Sequence, residues 1–334
     1  PPPPRDATAW RAGSRASDVR PACDPDPFVP LELITGPANA AKAGVVLDAV
    51  RDLASREPLL VVPTGADADR YRRELVARGG VFGVRVVVFR GLVHEVARRA
   101  GCAGGAVDAL TRERVAAAAV RGTELGVLAR AAQTDGFAGA LVRLADELAE
   151  LHVTADAFAE ALAEWAGADP GTTAYARDVA ALVAEDAAVL ARLGLRSRPQ
   201  WTRAVIEALE REPGCWGGTP VLLYGFDDLT RLESELVGAL AGAAGADVTL
   251  ALTYEHEREA FAARVPLWQG LLGLGAVERR LAPDDRYYAP EARDALCHLE
   301  RSLFVAGAPR AASATGVRAI EGGGERAELE LAAS

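Results

Sequence analysis

Gly36-Pro37-Ala38-Asn39-Ala40-Ala41-Lys42-Ala43 joins an apolar run to a stretch with helical spacing. A loop of the form G-x-x-x-x-G-K-[ST] in that position holds phosphate. Its glycines let backbone N–H groups close on the phosphates, its lysine reaches them, and its hydroxyl ligates Mg²⁺. Gly36 and Lys42 stand where this pattern needs them, but Ala41 replaces the second glycine and Ala43 the hydroxyl residue. Lys42 is also the only lysine among 37 basic residues. Gly36 and Lys42 therefore read as a vestigial phosphate loop. The competing reading is a plain helix N-terminus with Lys42 facing solvent.

A second stretch runs Leu223-Tyr224-Gly225-Phe226-Asp227-Asp228-Leu229-Thr230-Arg231-Leu232-Glu233. It is similar to the run V-D-E-F-Q-D-T-N-P-L-Q of superfamily-1 helicases, which supplies a Mg²⁺-binding Asp and a general-base Glu at the end of a strand. The apolar strand, the Phe, the second Asp and the following Leu match. Tyr224 stands for the metal ligand and Gly225 for the base. A phenol and a bare Cα can neither hold Mg²⁺ nor take a proton from water. With Ala43, three elements of ATP hydrolysis are missing, so no residue is assigned a catalytic role. Asp227 and Asp228 precede a helix and are read as N-capping groups rather than a metal site.

Elements that position these residues follow from the spacing of apolar positions. Three strand–loop–helix units are predicted: strands over 28–35, 58–62 and 84–89, and helices over 38–55, 66–77 and 92–100. Short apolar strands alternating with helices imply a parallel sheet with crossover helices. Residues 106–212 hold no strand pattern and read as amphipathic helices. Strands are predicted again at 220–224 and 247–253 around a helix over 229–241, then at 277–281, with a helix over 290–304. A last strand at 316–320 and a helix over 325–332 complete the reading. Strands 28–100 and 218–255 are expected to share one sheet, because each is apolar on both faces and needs its neighbours' edges.

Composition bounds the function. The net charge is −10, which excludes a protein that coats DNA through its overall charge but leaves room for a local basic groove. Cys23, Cys102, Cys215 and Cys297 form no CxxC pair, and His94, His152, His256 and His298 no metal spacing, so no metal site is predicted. Trp165, Trp201, Trp216 and Trp268 are too dispersed for a base-stacking platform and are expected in or near the core. Asp284-Asp285 after Pro283 reads as a turn. The chain has no methionine and reads as a processed or truncated piece of a longer one. It has neither a membrane-length apolar run nor a signal-like start, and the expected location is the cytoplasm.

Leu33-Ile34-Thr35-Gly36 with Lys42, Leu59-Leu60-Val61-Val62-Pro63-Thr64, and Val87-Val88-Phe89-Arg90-Gly91-Leu92 followed by Glu95-Val96-Ala97-Arg98-Arg99 look like the first three helicase motifs. Tyr224-Gly225-Phe226-Asp227-Asp228-Leu229-Thr230 resembles the D-G-F-T-x-F-T-P block of the AddB subunit of bacterial helicase–nucleases, and Val248 to Thr253 follows at the expected distance. The resemblance rests on the order of these motifs across 30–334. It implies an α/β, P-loop NTPase-like (superfamily-1 helicase-like) parallel sheet with a large all-helical insertion. The expected division is a disordered Pro-rich 1–27, a helicase-like domain over 28–105 and 216–260, a helical insertion over 106–215, and a mixed 261–334 that opens a second domain. It further implies a non-catalytic module of a double-strand-break repair machine, paired with an active helicase subunit and touching DNA, expected to be single-stranded. ATP and Mg²⁺ belong to the parent family and no cofactor is expected here. Nuclease motifs would lie beyond Ser334. Arg90, Arg98 and Arg99 are the candidate DNA-backbone contacts, against a solvated helix face. The alternatives are an α/β scaffold without a DNA role and, further off, an active P-loop NTPase.

Overall fold

The protein is described from a computed structural model, which covers residues 31–77 and 79–333. The Pro-rich segment expected to be disordered, and residues 28–30 of the first expected strand, lie outside the described residues. Six strands form one parallel sheet: β1 (Leu31–Gly36), β2 (Leu59–Val62), β3 (Arg85–Val88), β4 (Val221–Tyr224), β5 (Val248–Thr253) and β6 (Val277–Arg280), in the order β3-β2-β4-β5-β1-β6. Residues far apart in sequence therefore share one sheet, as the apolar runs require. β2 is buried along its whole length and pairs with β4 through Leu59↔Val221 and Leu60↔Leu222. β1 pairs with β5 through Leu33↔Leu250 and Ile34↔Ala251.

Helices cover both faces, as crossover connections demand. On one face α1 (Lys42–Asp52) and α2 (Gly65–Ala77) bury Val46, Leu47, Val50, Tyr71 and Leu75 against β1, β2 and β4. On the other, α3 (Phe89–Arg99), α8 (Arg198–Arg211), α9 (Arg231–Ala241) and α10 (Val265–Gly273) enclose Trp201, Val205, Leu236 and the fully buried Trp216. Between β3 and β4 come α4 (Ala109–Gly122), α5 (Phe137–Glu150), α6 (Ala155–Ala166) and α7 (Pro170–Arg192), with a separate core around Val115, Leu141, Leu182 and Leu190. That core also buries Arg112, whose guanidinium forks onto Asp186 at 2.7 and 2.8 Å. The helical stretch thus divides between two cores: α4 to α7 share their own, and α8 joins the sheet. α11 (Arg293–Ser302) and α12 (Glu325–Ala333) follow β6.

Three expectations need correction. No strand forms at 316–320. Gly316 has φ of 81° and the Val317 N–H closes a turn onto Ala314 O at 3.0 Å; Val317 and Ile320 are exposed, with no sheet edge beside them. Trp165 is 64% exposed rather than core, because it falls on the outer face of α6. The helix expected from residue 38 begins at Lys42, since 37–41 fold into a turn closed by the Ala40 N–H on Pro37 O (3.1 Å), with Ala41 left-handed at φ 55°. Among the described residues no helix is long and apolar enough to cross a membrane.

Candidate functional site

In an open parallel sheet, ligands bind outside the carboxyl ends of the strands. Both sequence stretches singled out above lie at that end. Gly36 closes β1 and Lys42 opens α1. The lysine does not face solvent: it is 3% exposed, and its Nζ donates to Gly36 O at 3.0 Å and to Pro37 O. Burial, and then the Arg264 guanidinium, push its pKa down to about 8.

At the end of β4, Tyr224 packs edge-to-face on Tyr71, with ring centroids 5.5 Å apart. Burial raises the pKa of both phenols, so both stay neutral. Gly225 has φ of 89°, a left-handed conformation that side-chain-bearing residues rarely adopt. Phe226 packs edge-to-face on Phe89 at 6.1 Å. Asp227 pairs with Arg264, and Asp228 Oδ1 accepts from the Leu229 N–H at 2.8 Å. Neither aspartate caps α9. Thr230 does, in a capping box: its hydroxyl accepts from the Glu233 N–H at 3.2 Å and Glu233 returns the bond to the Thr230 N–H at 3.0 Å. The Thr230-x-x-Glu233 spacing was the available signal. Among the described residues no group of three or more His, Cys, Asp or Glu could hold a metal.

A cavity of about 640 Å³ opens beside these elements, at the carboxyl ends of β2 and β3. Pro63, Phe89, Arg90, His94, Trp201 and Thr230 are among its lining residues. The first turns of four helices reach it: α3 at Phe89 and Arg90, α4 at Ala109, α8 at Arg198 and Pro199, and α9 at Leu232 and Glu233. Side chains of Asp108, Ser197 and Thr230 cap α4, α8 and α9, whereas α3 has no side-chain cap among the described residues. Its first N–H groups and the exposed Arg90, which makes no ion pair with a described residue, form a positive corner. The lining also carries three carboxylates, Asp108, Glu150 and Glu233. Burial raises the pKa of Glu233, with Glu150 adding to the effect. Trp201 is 3% exposed and its Nε1 has no hydrogen-bond partner among the described residues. His94, Trp201 and Thr230 were not singled out as site residues by sequence, because they come from three separate elements.

The three candidate arginines do not meet. Arg90 lies at the first turn of α3 and Arg98 and Arg99 at its last, about 12 Å along the axis at the usual rise per residue. Arg98, Arg99 and Arg85 instead surround Glu95, with Nη2 of Arg98 at 2.7 Å, Nε of Arg99 at 2.7 Å and Nη2 of Arg85 at 3.0 Å. The Arg98 bond above all holds the Glu95 carboxyl far below the ordinary carboxylate range. Arg99 also covers the Trp216 ring at 4.3 Å and donates to Thr219 Oγ1 at 2.9 Å. Its Nε and Nη1 are thus used within the fold.

A family model described as ADDB, N-terminal, matches residues 33–268, a span that takes in most of β1, all of β2 to β5, Lys42, Tyr224, Gly225 and the cavity. No curated protein matches the chain. The chain belongs to the AddB N-terminal family.

Proposed function

We propose that this AddB-family chain is a non-catalytic, superfamily-1 helicase-like module of a DNA double-strand-break repair helicase–nuclease, which touches a DNA strand and works beside an active helicase subunit in the cytoplasm. In this reading 28–105 and 216–260 make one helicase-like domain and 106–215 is its helical insertion, with α8 contributed to the sheet. The observation that carries the DNA contact is the uncapped first turn of α3 beside Arg90, at the mouth of the cavity. Backbone N–H groups at a helix start and a guanidinium with no ion pair to a described residue suit a phosphate oxygen. Loss of hydrolysis rests on Tyr224, Gly225 and Ala43. ATP and Mg²⁺ are accordingly assigned no role in this chain.

Of the three arginines, Arg90 suits the strand contact best. Arg98 and Arg99 already bond Glu95, so their part is smaller. In a fluorescence-anisotropy titration of single-stranded DNA, Arg90→Glu should weaken binding about tenfold and lower the slope of affinity against salt by about one. Unchanged affinity in that variant would remove the contact. The second reading, an α/β interaction module without a DNA role, is favoured by the three carboxylates of the lining, Asp108, Glu150 and Glu233. It predicts no saturable DNA binding by the wild-type chain at low salt.

A further inference from the structure

The phosphate loop is enclosed from two sides. Inside it, the Lys42 ammonium sits against the carbonyl oxygens of Gly36 and Pro37. Along its outside runs the segment that follows β6. The Leu281 N–H donates to Thr35 O at 2.8 Å and the Asp284 N–H to Asn39 O at 2.9 Å. Asn39, only 7% exposed, donates through Nδ2 to Asp285 Oδ1 at 2.8 Å. The approach at Gly36 is so close that an added Cβ would lie 2.8 Å from Leu281 O. Farther on, Arg293 Nε donates to Asp285 O at 3.1 Å, which ties the segment to α11.

We propose that residues 281–288 are a strap which, together with Lys42, occupies the loop and shuts out phosphate, so that the loop now anchors β6 and α11 to the sheet. A site stripped of its Mg²⁺ ligand and base would still bind nucleotide if the loop were open. A strapped loop binds none. The reason is electrostatic as well as steric. Phosphate needs N–H groups turned toward it and an ammonium with donors to spare. Here an entering phosphate meets two carbonyl oxygens, and it must pull Lys42 from them while displacing Leu281 from Gly36. Two hydrogen bonds between strap and loop, and the Leu281 bond to Thr35 O in β1, would break on the way.

The experiment is hydrogen exchange on the full chain, with and without a non-hydrolysable ATP analogue and Mg²⁺, for wild type, Asp285→Ala and Asp285→Asn. The wild type should show no saturable binding up to about 1 mM analogue. In Asp285→Ala the amides of Ala40, Leu281 and Asp284 should exchange about tenfold faster while Leu60 and Val61 stay protected. Asp285→Asn, which keeps an oxygen for Asn39, should behave as wild type. Analogue binding to the wild type with Leu281 and Asp284 still protected would overturn the strap, as would unchanged exchange in Asp285→Ala. Should that variant unfold globally, the wild-type titration decides alone. Binding without turnover would sink the strap and leave the non-catalytic reading standing.

Discussion

At the carboxyl end of β1 the loop that faces the ligand side of the sheet is shut, with a 97%-buried counterpart to its chemistry in Lys42, whose relative exposure is 3%; at the carboxyl ends of β2 and β3 a cavity of about 640 Å³ stays open. The two regions belong to one sheet and are separated by β5 and β4. What differs is how each satisfies its polar groups. The loop pairs Lys42 with Gly36 O and Pro37 O, Gly36 O also with the Tyr254 N–H, and Asn39 O with the Asp284 N–H, and leaves Asn39 Oδ1 without a hydrogen bond among the described residues. Among the described residues, the cavity leaves the first N–H groups of α3 without a side-chain cap, Arg90 without an ion pair, and Trp201 Nε1 without a hydrogen-bond partner. Polar groups left open at a carboxyl end are the ones available to a ligand, so the contrast moves the functional weight from the loop to the cavity.

The strongest way to break this comparison is to rebuild the lost chemistry. Tyr224→Asp, Gly225→Glu and Ala43→Thr together restore the residue types that hydrolysis needs. The geometry opposes them. Gly225 at φ 89° resists a side chain at about 1–3 kcal/mol. An aspartate at 224 gives up the edge-to-face contact with Tyr71 and places a carboxyl in a half-buried site, at about 2–4 kcal/mol. The expected result is a loss of roughly 3–7 kcal/mol in chemical denaturation, with no ATP turnover. Mg²⁺-dependent hydrolysis by the triple variant would show that the loop is only resting.

A milder test sharpens the difference between the two ends of α3. Glu95 is 8% exposed and collects Arg85, Arg98 and Arg99. Glu95→Gln removes the charge they share and should cost about 2 kcal/mol. Its folded-state pKa is depressed, so this contribution is present above the ordinary carboxylate pKa and is lost as pH falls below it. DNA binding at the Arg90 end should be unchanged in Glu95→Gln, whereas Arg90→Glu should leave stability within about 0.5 kcal/mol, as surface changes usually do. If Glu95→Gln weakened DNA binding as much as Arg90→Glu, the whole of α3 would belong to one interface.

Much of this fold was legible in the sequence, because strands buried on both faces are written as apolar runs. β2, expected over 58–62, spans Leu59–Val62, and β4, expected over 220–224, spans Val221–Tyr224. β6, expected over 277–281, spans Val277–Arg280, but it is a largely exposed edge strand and not an apolar run. α3 was expected to start at residue 92 and starts at Phe89, since Phe89 and Arg90 read equally well as the end of the strand before it. The missing strand at 316–320 had only Val317 and Ile320 to recommend it, and pairing depends on an edge that local sequence does not encode. The candidate site was legible in part. Gly36, Lys42, Tyr224 and Gly225 follow a spacing rule, and Arg90 was named. The cavity was not legible, because its walls join residues near 63, 90, 108, 150, 200 and 231. Nor was the strap: Asp284-Asp285 reads as a turn, and a turn it is, with Asp284 Oδ1 accepting from the Arg286 N–H at 3.1 Å. Its second use, against Asn39, is a contact across more than two hundred residues.

The smallest effect is the most specific to the closed loop. Burial, with help from Arg264, lowers the Lys42 pKa from an ordinary 10.5 to about 8. Below about pH 8 the lysine is charged in both folded and unfolded chains, and the desolvation penalty is fully present. Between that pH and 10.5 the unfolded chain still binds the proton that the folded one has released, so stability rises with pH. Tyr71 and Tyr224 act in the opposite sense near pH 10, because burial raises their pKa and the fold must keep them neutral. The window to read is therefore about pH 8 to 9.5, and the quantity is the wild-type stability minus that of Lys42→Met. This difference should rise with pH, since methionine fills similar space and cannot titrate. An open loop, with Lys42 in water, would give a flat difference, because the lysine would then keep its ordinary pKa and stay charged in both states throughout the window. A slope in the wild type alone thus reports that the loop is closed over its own lysine in solution.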